Sequence, residues 1–185
     1  GKIGALSFNG NKIITTGGEG GLLATDDEHL WRRAWALKDH GKSYEAVYER
    51  EHPPGFRWLH ESFGTNWRLT EMQSTIGRAQ LAKLPNWLAR RRANATVLAE
   101  RLAGLSGLRV PQLPDEAESA WYKFYAFLDP AFFGPEVAAQ RDAVVAAVQA
   151  RGVPCLHGGC SEIYREVTFN GTNFGPPSHL PVARE

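Results

Sequence analysis

Apolar positions open this chain as two short runs, Ile3-Gly4-Ala5-Leu6-Ser7-Phe8 and Gly21-Leu22-Leu23-Ala24-Thr25, each bounded by Gly, Asn or Asp. Runs of that length flanked by turn residues are the pattern of buried strands. The glycine-rich segment between them reads as their connection. Thr25 followed three residues later by Glu28 makes a capping box, and Leu30, Ala34 and Leu37 then recur at helical spacing, so the pattern predicts a helix over 26–38. Strand, connection, strand, helix is an α/β layer. Residues 39–65 hold Pro53-Pro54-Gly55 and many charges with no clean period, and read as a long loop of the kind that reaches a site or a partner. A second capping box, Thr70-Glu71-Met72-Gln73, starts a helix marked by Met72, Ile76 and Ala79. Pro85 interrupts it, and Trp87, Leu88, Ala95, Leu98 and Leu102 mark another helix with Gly104 as its stop, so the pair predicts a bent helical arm.

The pattern changes near 104–108, where a domain boundary is expected, dividing 1–105 from 106–185. Leu108-Arg109-Val110-Pro111 and the aromatic run Trp121 to Leu128 read as strands. Val137, Val144, Val145 and Val148 outline a helix that ends at Gly152, ahead of a short run Val153-Pro154-Cys155-Leu156. Strand, strand, helix, strand predicts a small α+β domain. Residues 157–185, rich in Gly, Pro, Asn and Ser, predict no regular element.

Of the 185 residues, 43% are hydrophobic, which is enough for a substantial core, and 21 Lys plus Arg against 20 Asp plus Glu leave no field that would recruit nucleic acid or an acidic membrane surface. A small, locally recognised ligand is favoured. The triplet Arg90-Arg91-Arg92 does not change this, because three adjacent residues fan around a helix and read as a solvated face. No run of about 18 apolar residues and no basic-then-apolar leader is visible, so the expectation is a soluble, cytoplasmic protein. Cys155, His157 and Cys160 lie close together, but zinc needs a fourth ligand that the spacing does not supply. A disulfide is not expected in a reducing compartment.

The candidate chemistry lies in Ser7-Phe8-Asn9-Gly10-Asn11-Lys12-Ile13-Ile14-Thr15-Thr16-Gly17-Gly18-Glu19-Gly20-Gly21. A lysine amine attacks carbonyl carbon only when unprotonated, so a reactive lysine needs surroundings that favour the neutral form. A strand end flanked by glycine is one such place. The Gly17 to Gly21 cluster is no phosphate loop, since it precedes a strand and lacks the Gly-Lys-Ser/Thr ending.

Ser7 to Lys12, Gly18-Glu19-Gly20-Gly21, His40-Gly41, Gly64-Thr65-Asn66-Trp67-Arg68-Leu69-Thr70-Glu71 and Gly77-Arg78-Ala79-Gln80-Leu81 occur in order. Together they resemble the DegT/DnrJ/EryC1/StrS family of sugar aminotransferases, pyridoxal-phosphate enzymes on the fold-type I aspartate-aminotransferase scaffold. The resemblance implies an α/β fold: 1–105 as the C-terminal part of the cofactor-binding large domain, and 106–185 as an incomplete small α+β domain. It makes Lys12 the lysine that bonds the cofactor aldehyde and carries the proton between cofactor and substrate, a pair of roles that one amine can fill. It also makes Ser7 a hydroxyl on the cofactor phosphate and Asn66 an amide that reaches the phosphate of the neighbouring subunit, giving a homodimer with a composite site. Ser7 has the local alternative of a strand-end serine bonding backbone, and Asn66 that of a capping asparagine. Arg68 suits a phosphate or carboxylate, or pairs with Glu71. Asn9 lines the sugar site or simply forms a turn, and His157 contacts substrate or stands exposed.

The implied reaction moves an amino group, from glutamate, to a keto group of a nucleotide-linked 4-keto-6-deoxy hexose. Cyclitol substrates and aromatic amino acid assembly also occur in the family. Its dehydratase branch replaces the lysine by histidine, and Lys12 argues against it. The phosphate-gripping turn, the stacking aromatic and the acid that pairs with the pyridine nitrogen have no counterpart in these residues. The chain is therefore expected to be a fragment, inactive alone. A rival of a different class is a cofactor-free interaction module using the long loop and the helical arm.

Overall fold

The computed structural model describes residues 1–160, 162–176 and 178–184. They form two compact units, one of residues 1–95 with 118–122 and one of residues 96–117 with the described residues from 123 onward.

In the first unit, strands β1 (Gly4–Ser7) and β2 (Gly21–Ala24) pair antiparallel, with Leu6 opposite Leu22 and Ser7 opposite Gly21. The ladder continues one step into the connection, where Phe8 N donates to Gly20 O at 2.8 Å. Helix α1 (Glu28–Lys38) follows, but its cap is not the expected Thr25–Glu28 box: Asp27 is the N-cap, accepting from Leu30 N at 3.1 Å. The Thr25 hydroxyl is used elsewhere, donating to Lys2 O and accepting from Asp27 N. A carboxylate at the N-cap also suits the positive end of the helix dipole.

The stretch expected as a long loop contains a short helix, α2 (Tyr44–Tyr48), capped by Ser43. Its aromatic residues close on α1: the Tyr44 ring lies 5.3 Å from Trp31 and 5.1 Å from Trp35, and Lys38 Nζ sits 3.5 Å over the Trp35 ring. Ala46, on the same short helix, is fully buried. The remainder is tied back by bridges from Asp39 to Asn66 and from Lys42 to His60. Gly41 (φ +79°) and Gly64 sit where any Cβ would run into backbone of the facing segment, so the two passes of chain can approach only because both are glycine.

The expected helical arm is present. Thr70 and Gln73 form a complete capping box at the start of α3 (Glu71–Leu81), worth about 1 kcal/mol. The chain turns at Ala82 and Lys83, and α4 (Leu84–Leu102) begins with Pro85 in its first turn, where a missing N–H costs nothing.

In the second unit, β3 (Leu108–Arg109) pairs with β4 (Phe127–Leu128) over two residues. The aromatic run therefore supplies a strand only at its end. Trp121 has φ +48°, which breaks extended backbone at the start of the run. A short helix, α5 (Pro130–Phe133), which the pattern does not predict, precedes α6 (Val137–Gln149), which follows as the valine spacing predicts, with Val145 buried. The strand expected over 153–156 is absent among the described residues. Pro154 lacks an N–H for a ladder, and the Gln149 side chain takes the Cys155 carbonyl at 2.6 Å. Beyond it lie two 3-10 turns (Ile163–Arg165 and Val167–Phe169) and a final short helix, α7 (Pro181–Arg184), in a region expected to have no element. No helix among the described residues is long and apolar enough to cross a membrane.

Candidate active site

Lys12 stands on the tight turn that closes the β1–β2 connection, where Lys12 N donates to Asn9 O at 2.9 Å. Asn9 builds this turn: its Oδ1 accepts from Asn11 N at 3.1 Å, and its Nδ2 donates to the Glu19 carboxylate across the connection. Both ends of the Asn9 amide are thus committed locally, as in an Asx turn. Ser7, at the end of β1, accepts from Asn9 N through Oγ at 3.3 Å. Accepting leaves the hydroxyl proton available to an anion.

The connection is held from outside by α3. Gln73 Nε2 donates to Glu19 O at 2.8 Å, and Gln80 Oε1 accepts from Thr15 N at 2.9 Å. Between them Gly77 faces Thr16, which is 2% exposed, and a Cβ on Gly77 would lie 3.1 Å from Thr16 Cγ2. Residues 73, 77 and 80 follow at i, i+4 and i+7, so one stripe of α3 meets the connection, and Gln73 serves it through Nε2 while its Oε1 closes the capping box. Sequence reading missed both glutamines as supports. Their spacing within one helix was the available signal.

Lys12 is half-buried, and no carboxylate pairs with it among the described residues. Its neighbour is Tyr122, whose ring centroid lies 4.6 Å from Nζ and whose hydroxyl donates to Asn11 Oδ1 at 3.1 Å. The sequence places Tyr122 in an expected strand and Arg91 on an expected solvated face; in the structure Arg91 bonds the carbonyls of Trp121 and Tyr122.

Asn66 and Arg68 form a second group in the same unit. Arg68 Nε donates to Asn66 Oδ1 at 3.0 Å, so the amide's donor end stays available, and Arg68 Nη1 lies 3.5 Å from Asp39 Oδ1. Asp39 is 7% exposed, and Lys42 lies 3.9 Å from the same oxygen. Arg68 therefore pairs with Asp39 rather than with Glu71. Nη2 of Arg68 is 3.4 Å from His40 Nε2, and His40 itself has φ +56°. Leu69 links the two groups: a Cβ on Gly20 would meet its Cδ1 at 3.2 Å.

His157 belongs to the second unit, exposed, with Nδ1 3.5 Å from Asp142 Oδ1. Cys155 and Cys160 are free thiols. The surface depression of 630 Å³ between α1 and Ser62–Phe63 includes none of the candidate residues.

The model of the DegT/DnrJ/EryC1/StrS aminotransferase family matches residues 1–184, and that family is pyridoxal-phosphate dependent. Among solved structures, an aminotransferase from Psychrobacter cryohalolentis is 47% identical with a TM-score of 0.87, covering 100% of this chain and 48% of its own. A dTDP-3-amino-3,4,6-trideoxy-alpha-D-glucose transaminase from Streptomyces venezuelae is 30% identical over 83% of this chain and 35% of its own length. A candidate L-glutamine:3-amino-2,3-dideoxy-scyllo-inosose aminotransferase from Micromonospora echinospora is 32% identical over 97% of this chain and 37% of its own. The chain spans less than half the length of each of these proteins.

Proposed function

The chain belongs to the DegT/DnrJ/EryC1/StrS aminotransferase family and carries part of the fold-type I scaffold; on that premise we propose that it contributes the reactive lysine, Lys12, to a pyridoxal-phosphate-dependent aminotransferase. The reaction moves an amino group, from glutamate, onto a keto group of a nucleotide-linked 4-keto-6-deoxy hexose. The observation that carries this reading is a half-buried amine on a braced turn, with no carboxylate partner among the described residues, five residues past a strand-end hydroxyl whose proton is available.

The donor set suits the cofactor. An amine answers its aldehyde, and a hydroxyl and an amide NH2 answer its phosphate without adding charge. Lys12 would hold the group covalently. Ser7 would donate to its phosphate, and Asn66, oriented by Arg68, would donate to the phosphate bound by a second copy in a cytoplasmic homodimer. When bound, pyridoxal phosphate supplies an electron sink for the substrate carbon. Lys12 Nζ, once displaced by the incoming amine, would carry the proton between the amine-bearing carbon of the substrate and the cofactor. Arg68, partly neutralised by Asp39, is suited to a phosphate or carboxylate of substrate. Asn9 is assigned to the sugar side of the site.

The alignment with the scyllo-inosose enzyme, which covers 97% of this chain, favours a cyclitol ketone as the second reading. To decide, the protein carrying these residues is incubated with pyridoxal phosphate, glutamate or glutamine, and either a nucleotide-linked 4-keto-6-deoxy hexose or an inosose, and the aminated product is identified by mass. Amination of the nucleotide sugar supports the first reading. Amination of the inosose alone replaces it with the second, and amination of neither overturns both.

A further inference from the structure

Trp121 has a backbone φ of +48°, a region that a bulky side chain enters only when its surroundings enforce it. Those surroundings are identifiable. Arg91 Nη1 on α4 donates to Trp121 O at 3.0 Å and Tyr122 O at 3.4 Å, and Trp121 N donates to Ser119 Oγ at 3.0 Å. One turn of α4 is thus joined to the C-terminal end of the segment Glu118–Tyr122, and the Arg92–Glu118 ion pair joins it to the N-terminal end. The triplet that reads as a solvated face is, in two of its three residues, an anchor.

The segment so anchored delivers one side chain to the lysine turn. The Tyr122 ring lies beneath Lys12 Nζ, 4.6 Å from its centroid, and its hydroxyl is pinned to Asn11, the residue before the lysine. An aromatic face attracts a cation, and the hydroxyl bond fixes the ring against the turn. The two contacts act on adjacent residues. Together they fix where the amine rests when it is not covalently engaged.

We propose that Tyr122 is a positioning residue for Lys12: its ring seats the free ammonium on one side of the turn, and the strained segment Glu118–Tyr122, anchored by Arg91, keeps the ring there. Its importance for the reaction rests on the aminotransferase reading of Lys12, but the seat is a property of these residues and is measurable without cofactor.

The test is competitive acylation of the full chain by trace acetic anhydride at mildly alkaline pH, with peptide mapping and the reactivity of Lys12 expressed relative to the exposed Lys2. Loss of the ring in Tyr122→Leu both frees the ammonium and uncovers Nζ, and is expected to raise the relative reactivity of Lys12 about 3-fold. Tyr122→Phe keeps the ring but gives up its bond to Asn11, and should raise it less than Tyr122→Leu does, by no more than about 2-fold. Arg91→Gln, which touches neither ring nor amine, should raise it about 2-fold by releasing the segment. Equal reactivity in the parent and Tyr122→Leu overturns the proposal, as does a rise in Tyr122→Phe equal to that in Tyr122→Leu. If Tyr122→Leu unfolds and levels all the lysines, Tyr122→Phe and Arg91→Gln decide, and an unchanged Arg91→Gln then counts against the anchor. Failure of pyridoxal phosphate and borohydride to label Lys12 in the unsubstituted protein would instead fail the aminotransferase reading and leave the seat standing.

Discussion

The backbone N–H of Thr15 donates to Gln80 Oε1 at 2.9 Å across 65 residues of chain, so the turn that carries Lys12 takes its position from helix α3. Without that acceptor a part-buried amide is left unpaired beside Thr15 Oγ1, which is itself buried and unpartnered. Gln80→Ala is expected to destabilise the protein by roughly 1–3 kcal/mol and to speed amide exchange at Thr15. Gln80→Glu keeps an acceptor and should retain most of the protection. Hydrogen exchange followed at single-residue resolution checks both, and an unprotected Thr15 in the parent would remove the brace from the account.

Gly20 tests the packing of the same turn. A Cβ there would collide with Thr16 Oγ1 and press on Leu69 Cδ1 at 3.2 Å, whereas one on Gly10 would meet only Gly18 O at an ordinary 3.7 Å. Gly20→Ala is expected to cost about 1–3 kcal/mol and Gly10→Ala less than about 0.5 kcal/mol. Denaturant titration of the pair measures the contrast, and equal costs would contradict the close approach of Gly20.

In the second unit, Glu162 ties together the segments that flank it. The Tyr164 hydroxyl, His179 and Arg165 all bond its carboxylate and hold its pKa down to about 2, from an ordinary 4.5. A depressed carboxylate stabilises the fold above its unfolded value and loses that contribution as pH falls through its folded one. Exchange of the Leu180 amide, which donates to the Tyr164 hydroxyl, should therefore be steady from neutrality to about pH 4.5 and lose protection progressively toward pH 2. Glu162→Gln should abolish that dependence. A protection profile with the same acid limb in the variant would assign it to another group.

Much of the local structure was legible because local chemistry decides it. Thr70 and Gln73 cap α3 with their own side chains, Pro85 falls where a helix can only begin, and Val137 to Val148 carry their own period. Thr25 and Glu28 satisfied the same capping formula, yet Asp27, one residue before the helix, offered a charged acceptor and displaced them. The turn bearing Lys12 announces itself through Asn9, Gly10 and the glycines after it, whereas its bracing by Gln73 and Gln80 depends on where α3 packs. Trp121 to Phe124 look like a strand by composition. What bends them is Arg91, contributed by a helix 30 residues earlier, and no local pattern records such a bond.

The central claim is that Lys12 is the amine that holds pyridoxal phosphate. The most direct measurement is to load the protein carrying these residues with the cofactor, reduce it with borohydride, digest it, and locate the pyridoxyl-lysine by mass spectrometry. The account predicts stoichiometric label on the peptide containing Lys12 and none on that peptide in Lys12→Arg. Label confined to other lysines, or persisting on that peptide in Lys12→Arg, would contradict it.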